Sequence, residues 1–197
     1  MDLDETQVED FRIIKKEMDR LNEIVSRFLN FARPEEPQFQ AVNLYGLVMD
    51  AMNLLTPRIK GNGIRSVISL SPDLPAVKGD PKQLDQVLLN LLLNAVEAMP
   101  NGGTLEVLSN LKSVPDSEEK LLQVVVRDSG PGIGRKEQAR LFDPFFTTKE
   151  GGTGLGLSIV YSIVQKHNGQ IDVESELGKG TSFLLSLPIF QEEGWKK

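Results

Sequence analysis

The segment Asp80-Pro-Lys-Gln-Leu-Asp-Gln-Val-Leu-Leu-Asn-Leu-Leu-Leu-Asn-Ala-Val-Glu-Ala-Met-Pro100 decides the fold. An acidic residue followed by proline is typical of a helix start, so this segment predicts a long helix that ends before Pro100. Winding the helix at about 100° per residue places five polar side chains within roughly 40° of one line. They are Gln83, Gln86, Asn90, Asn94 and Glu97. The other positions are mostly Leu, Val and Ala, which predicts burial away from this polar stripe.

The polar stripe has two interpretations. Buried carboxamides cost about 1–3 kcal/mol each unless they are hydrogen-bonded or bound to a ligand. Asn90 and Asn94 lie one turn apart and present two oxygens on the same side, a spacing that suits Mg²⁺ already carrying phosphate oxygens. Alternatively, the stripe faces solvent on an ordinary surface helix. The stripe alone does not decide between them.

The residues before this helix predict two parts of the chain. Apolar residues recur at steps of three and four over 8–32, which predicts an amphipathic helix wide enough for a four-helix arrangement. Pro34-Glu-Glu-Pro37 then predicts a stiff connector. We therefore expect a helical part over 1–36, a second domain over 37–190 and a polar tail over 191–197.

Within the second domain, helix and strand patterns are interleaved without strict βαβ alternation. This order predicts an α/β fold with a mixed sheet covered by helices on one face. Helices are predicted over 43–59, 80–99, 135–141 and 155–167, and strands over 64–70, 104–110, 121–128, 170–175 and 181–187, with a polar connection over 112–120.

An acidic residue ends one predicted strand and is followed by glycines. Asp128 precedes Ser-Gly130-Pro-Gly132-Ile133-Gly, where the glycines would let a planar ring approach the backbone and the carboxylate could accept a hydrogen bond from an adenine amino group. Asp-Ser-Gly is equally an ordinary turn.

A second glycine cluster, Gly151-Gly152-Thr153-Gly154-Leu155-Gly156, leads into a predicted helix. Glycines at a helix start offer free backbone N–H groups and the positive end of the dipole, which suit phosphates. A flexible hinge is the alternative. Arg140 and Lys149 flank the loop as candidate γ-phosphate contacts, although solvated surface charge is the default for each.

Two weaker features complete the set. Thr181 follows Gly178-Lys-Gly180 and could hydrogen-bond a base, directly or through water, or simply follow a hairpin turn. Phe142 and the pair Phe145-Phe146 are either anchors of a lid or part of the core.

Composition excludes several functions. The chain has 197 residues, a net charge of −6, no cysteine and one histidine, His167. The acidic balance argues against nucleic-acid binding, and the absence of cysteine argues against zinc and thiol chemistry. No apolar run approaches the ~18 residues of a membrane span, and the first residues are acidic. We expect a soluble, cytoplasmic chain without membrane contact.

Together these segments resemble the N, G1, F, G2 and G3 boxes of bacterial sensor histidine kinases. The matching segments are Asn90-Leu-Leu-Leu-Asn94-Ala, Asp128-Ser-Gly-Pro-Gly132, Phe142-Asp-Pro-Phe-Phe146, Gly152-Thr-Gly-Leu-Gly156 and Gly178-Lys-Gly-Thr181. The resemblance covers 43–188 and implies an α/β sandwich of the GHKL (Bergerat) type, shared with gyrase, MutL and the heat-shock chaperone ATPases. Residues 8–33 also resemble the second helix of that family's dimerisation and phosphoacceptor hairpin.

The resemblance also implies ligands and residue roles. ATP and Mg²⁺ are the implied cofactors, with Asn94 and Asn90 as metal ligands and Asp128 as the residue that reads adenine. Other implied nucleotide contacts are Gly130, Gly132, Ile133, Phe142, Gly152, Thr153, Gly154, Leu155, Gly156 and Thr181. Asn90, Asn94, Arg140 and Lys149 are the implied catalytic set.

The chain departs from the family pattern at two places. The family's acceptor histidine lies on a first hairpin helix, and no such helix precedes Val8, so we expect a fragment that begins after it. His167 is expected to be a structural residue near a helix end. Glu97 stands where many members place a lysine; either Lys149 or Arg140 compensates, or Glu97 marks a different subfamily.

The resemblance implies transfer of the γ-phosphoryl group from Mg·ATP to a histidine on another chain, with a homodimer through the full hairpin and a response regulator receiver domain as partners. Gyrase-type hydrolysis is a rival, but those enzymes have a glutamate where this chain has Asn90, and a carboxamide is no base at neutral pH. A nucleotide-sensing module without turnover is the third hypothesis.

Overall fold

The computed structural model describes residues 8, 10–15, 17–18, 36–113, 120–149 and 152–191. Its helices are α1 (Leu44–Gly61), α2 (Pro81–Glu97), α3 (Arg135–Gln138) and α4 (Gly156–Lys166). Its strands are β1 (Gln40–Val42), β2 (Ile64–Ser69), β3 (Val77–Gly79), β4 (Gly103–Ser113), β5 (Lys120–Asp128), β6 (Gln170–Glu176) and β7 (Gly180–Pro188). The described residues up to 18 are helical and exposed, whereas the rest of the predicted first helix, the first half of the connector and 192–197 lie outside the described residues.

Side-chain caps fix the starts of the two long helices. Asn43 accepts hydrogen bonds from the backbone N–H groups of Tyr45 and Gly46, and Asp80 does the same for Lys82 and Gln83. These caps satisfy backbone donors that have no partner inside the helix. Both predicted helix starts are therefore confirmed.

The main sheet has the order β2-β4-β5-β7-β6, in which β2 and β4 are parallel and the other pairs antiparallel. This confirms the predicted mixed sheet. The β4–β5 hairpin is longer than predicted. Lys112 pairs with Leu121 and Ser113 pairs with Lys120, so both ends of the predicted polar connection over 112–120 belong to strands. A separate ribbon of β1 and β3 was not predicted, since three residues are too few to show alternation.

The core lies between one face of the sheet and the helices. Leu105, Val107, Val124 and Val126 point into it and are almost fully buried. On the other face, Arg127 and Glu106 form an ion pair of 3.4 Å and stay partly exposed. Because α2 packs between α1 and α4 above this core, only its polar stripe is left at an edge.

Candidate functional site

A cleft of about 730 Å³ opens where α2, the end of β5 and the two glycine-rich loops meet. Ten of the fifteen residues implied as metal, nucleotide or catalytic contacts line it: Asn90, Asn94, Asp128, Gly132, Ile133, Lys149, Gly152, Thr153, Gly154 and Gly156. Five others are absent from its lining: Gly130, Arg140, Phe142, Leu155 and Thr181. Segments separated along the chain thus converge on one space.

One wall of the cleft is the second half of the polar stripe of α2, formed by Asn90, Asn94 and Glu97, whereas Gln83 and Gln86 lie outside the lining. Asn90 and Asn94 are half-buried there, between the two extremes considered from the sequence. The Asn90 Nδ2 donates to the carbonyl of Gln86 at 2.9 Å, which fixes the amide plane. A Cβ added at Gly156 would lie 3.2 Å from Asn90 Oδ1, so this oxygen faces the start of α4.

Asp128 lies at the base of the cleft and is 4% exposed. Its Oδ1 accepts a hydrogen bond from the Gly130 N–H at 2.8 Å. Burial raises the pKa of Asp128, against the lowering effects of the Gly130 and Thr181 backbone hydrogen bonds and of the Lys149 charge. A buried carboxylate that can accept further hydrogen bonds suits a ligand with an N–H donor.

The loop after Asp128 is held by a hydrogen-bond chain. The Ile133 N–H donates to Ser175 Oγ at 2.8 Å, and Gln138 Nε2 donates to the carbonyls of Ile133 at 2.6 Å and Ser175 at 2.9 Å. Ser175 Oγ lies 2.9 Å from Thr181 Oγ1. Thr181 is thus joined to the cleft loop through Ser175, although it does not line the cleft itself.

The second glycine loop combines close backbone packing with an open helix start. Gly154 has φ +66°, and a Cβ there would overlap the backbone of Phe145, which itself has φ +66°. Only glycine tolerates both conditions. The following α4 has no side-chain cap, so its first N–H groups are left for another acceptor.

Lys149 reaches across the cleft to the stripe. Its Nζ lies 2.6 Å from Glu97 Oε2 and donates to Asn94 Oδ1 at 3.1 Å. Arg140, the other candidate cation, instead packs over the Phe146 ring at 4.7 Å and lies 3.5 Å from Asp143. The two cations named from the sequence thus have different surroundings.

The lining residues that the sequence did not single out include Arg58, Thr147, Thr148, Leu157 and Phe183. Arg58 lies in the last turn of α1 and reaches the cleft only because α1 packs against α2. No local pattern marks such a residue, because the contact depends on packing between helices. Phe183 points inward from β7, and the alternation of apolar and polar residues along this strand predicts only that it belongs to the core.

The aromatic residues divide between core and surface. Phe142 packs against the core and tilts against Tyr161, with ring centroids 5.6 Å apart. Phe146 lines the cleft, whereas Phe145 is 60% exposed. The core alternative thus fits Phe142 and does not fit Phe145.

His167 is a buried structural residue, as the sequence indicated. It is the C-cap of α4 and is 2% exposed. Its Nε2 accepts from the Asp80 N–H at 2.9 Å, and its Nδ1 lies 2.8 Å from the Ile163 carbonyl. The ring also meets Phe39 edge-on at 5.2 Å. Both ring nitrogens are therefore in use.

The burial of His167 gives a pH prediction. Burial lowers the pKa of His167 below 6.5, although the Ile163 carbonyl and Asp80 oppose this and Lys166 adds to it. The unfolded chain therefore takes up this proton at a higher pH than the native protein. The contribution of His167 to stability is complete above its unfolded pKa and is lost as the pH falls through that value toward the folded pKa.

We expect the free energy of unfolding in urea to fall between about pH 7.5 and about pH 5.5, and His167→Gln to flatten this slope. The pKa of Asp80 is lowered from 3.8, because hydrogen bonds from Gln38, Gln83 and Lys82 outweigh its burial, so its titration falls outside this window. An equally steep slope in the variant would contradict the assignment.

A cation in the cleft would depend on amide oxygens. In the described part of the chain, no three His, Cys, Asp or Glu side chains gather into a metal-binding group. The Asn94 and Asn90 oxygens lie on the cleft wall, and a hard cation that carries phosphate oxygens can take such neutral ligands. The residues present therefore fit a phosphate-bound Mg²⁺. The helices of the described residues include none long and apolar enough to cross a membrane.

Comparison with known proteins identifies related chains. The family described as "Histidine kinase-, DNA gyrase B-, and HSP90-like ATPase" matches residues 79–191. Sporulation kinase E of Bacillus subtilis is 37% identical over 92% of this chain and 24% of its own length. Sensor histidine kinase ZraS of Escherichia coli is 38% identical over 90% of this chain and 37% of its own length. The chain thus spans less than two-fifths of these relatives.

Solved structures of histidine kinases have a fold similar to that of this chain. Full-length ShkA in complex with AMPPNP has a TM-score of 0.80 and 30% identity, covering 96% of this chain and 40% of ShkA. Histidine kinase ThkA in complex with the response regulator TrrA has a TM-score of 0.75 and 30% identity, covering 96% of this chain and 53% of the matched one. The predicted sandwich fold is confirmed.

Proposed function

Because this chain belongs to the histidine kinase-, DNA gyrase B- and HSP90-like ATPases and carries a catalytic domain of the sensor histidine kinase type, we propose that it binds Mg·ATP in the cleft and transfers the γ-phosphoryl group to a histidine. The observation that carries the proposal is the convergence of the α2 amides, Asp128 and the glycines at the start of α4 on one cleft.

The roles follow from the chemistry of each wall. Asp128 accepts the adenine amino group at the base, and the uncapped start of α4 donates N–H groups to phosphate oxygens. Asn94 and Asn90 hold Mg²⁺ through their amide oxygens. When bound, Mg²⁺ neutralises charge that develops on the transferring phosphoryl group. The work of the protein is therefore positioning and charge balance.

The acceptor histidine belongs to another segment or chain. The one histidine of the sequence is His167, and its buried ring has both nitrogens within hydrogen-bonding distance of backbone groups. We also propose that the chain divides into two parts at 36–37. The helical part before this division would contribute to a homodimer through a complete helical hairpin. A response regulator receiver domain then takes the phosphoryl group. Because ATP is a substrate of the cytoplasm, the proposal includes a cytoplasmic location for this domain.

Kinase chemistry is favoured over hydrolysis by the groups on the cleft wall. Asn90 is an amide, and its Nδ2 is bound to the Gln86 carbonyl, so it is no base for water. The described lining contains two carboxylates, Glu97 and Asp128. Glu97 is paired with Lys149, and Asp128 is bound to the Gly130 N–H at the base. With the adenine amino group also bound to Asp128, neither carboxylate is left as a free base for water.

Transfer is tested by mixing this chain with a separate polypeptide that carries a helix with a histidine followed by an acidic residue, in labelled ATP and Mg²⁺. We expect acid-labile, alkali-stable label on the added polypeptide, and none when its histidine is replaced by glutamine. Label on serine, or rapid phosphate release with no labelled protein, would contradict the proposal.

A further inference from the structure

An ion pair joins the two walls at the end of the cleft that carries the metal amides. Glu97 is the last residue of α2, and Lys149 lies on the opposite loop, 52 residues further along the chain. The 2.6 Å contact between Lys149 Nζ and Glu97 Oε2 is short even for a charged hydrogen bond. The same ammonium also donates to Asn94 Oδ1 at 3.1 Å.

The ion pair between Lys149 and Glu97 contributes little to the stability of the fold. Both side chains are 42% exposed, and ion pairs at such positions contribute about 0–1 kcal/mol after screening and the cost of ordering two long side chains. Removing either partner therefore leaves the fold intact.

The charge of Lys149 acts on the carboxylate at the base of the cleft. It lowers the pKa of Asp128 at the base, although burial of that carboxyl has the larger, opposite effect. An ammonium at this place therefore acts on the space that a nucleotide would fill. It also satisfies the Asn94 oxygen while no cation is bound there.

We propose that Glu97 is a positioning residue that holds the Lys149 ammonium at the phosphate end of the cleft, where Lys149 binds the γ-phosphate of ATP. The proposal deepens the proposed function and rests on it. Lys149, on the opposite wall, thereby supplies the positive charge that a lysine at position 97 would supply, and Glu97 keeps it in place.

The donors of Lys149 are sufficient for this role. An ammonium has three N–H donors, of which Glu97 and Asn94 receive two. The third donor is left for a γ-phosphate oxygen, so Lys149 can bond to Glu97 and to that oxygen together. Only ATP has the γ-phosphate, so the pair sets the preference for ATP over ADP.

The test measures that preference by calorimetry, with a non-hydrolysable ATP analogue and ADP, each with Mg²⁺. We expect Lys149→Met to lower the preference about tenfold, the worth of one hydrogen bond to a charged group, with ADP affinity unchanged. We expect Glu97→Gln to lower it about threefold, since the ammonium is then held less firmly. The double variant should match Lys149→Met alone, because Glu97 acts through Lys149.

The sign of the Glu97→Gln effect separates positioning from simple charge repulsion. If Glu97 only repelled phosphates, its neutralisation would raise the affinity for the analogue, and this outcome would overturn the proposal. Glu106→Gln breaks the comparable Arg127 ion pair on the far face of the sheet and should leave the preference unchanged.

Exchange of the two charges provides a rescue. In the variant with both Glu97→Lys and Lys149→Glu, the ion pair is kept and the lysine stands on α2, so the ATP preference should return to within about threefold of the original. A variant that stays at the level of Lys149→Met would overturn the proposal. If the unaltered protein bound no nucleotide, the proposed function would fail instead, so the two failures are distinguishable.

Discussion

Replacing Asp128 with asparagine is expected to weaken ATP binding about 10- to 100-fold, as expected for loss of a buried hydrogen bond to a charged group. The carboxylate has only acceptor oxygens, and Oδ1 takes the Gly130 N–H at 2.8 Å. In the amide, the single oxygen is needed for Gly130. The NH₂ group would then face the adenine amino group, donor against donor.

The same substitution should not lower stability. Because burial raises the pKa of Asp128 above 3.8, the folded protein disfavours its charged form at neutral pH. A neutral side chain of the same shape therefore keeps or raises the free energy of unfolding. Calorimetry of ATP binding and urea unfolding together test the role. Unchanged ATP affinity in a folded variant would contradict the adenine contact.

Asn94→Ala is expected to have the second large effect, a loss of about 100-fold or more in phosphoryl transfer. Asn94 contributes an amide oxygen at the place where Lys149 already finds an acceptor, so this wall is suited to a cation. Removing it leaves the phosphate-bound Mg²⁺ with one protein oxygen fewer. ATP affinity measured with Mg²⁺ should fall, whereas affinity measured with chelator should change little.

Asn53→Ala is the matched control, because Asn53 is an exposed asparagine within α1, away from the cleft lining. It should leave transfer and binding unchanged. If Asn94→Ala kept its dependence on Mg²⁺, the metal would have to be held elsewhere.

Much of the fold could be predicted from local chemistry. Asp80 followed by Pro81 marks the start of α2, and Asn43 marks α1, because capping depends on residues within one turn. The polar stripe of α2 likewise follows from the helical period, and the structure places three of its five members, Asn90, Asn94 and Glu97, at the cleft.

Contacts between distant segments were not predictable in the same way. The ribbon of β1 and β3 is too short to show a period. Glu97 stood out as a member of the polar stripe and as a departure from a family pattern, but its pairing with Lys149 had no sequence signal, because the fold brings the two residues together. Arg58 gave no signal at all, because its place at the cleft depends on how α1 packs on α2.

The carboxylate of Asp80 bonds two segments at once. One oxygen caps α2 through the Lys82 and Gln83 N–H groups, and the other accepts from the Gln38 N–H at 2.8 Å. The first residues of the catalytic domain are therefore hydrogen-bonded to the same helix that carries the amides of the cleft. A displacement of the backbone at Gln38 would therefore act on the start of α2 through this one carboxylate.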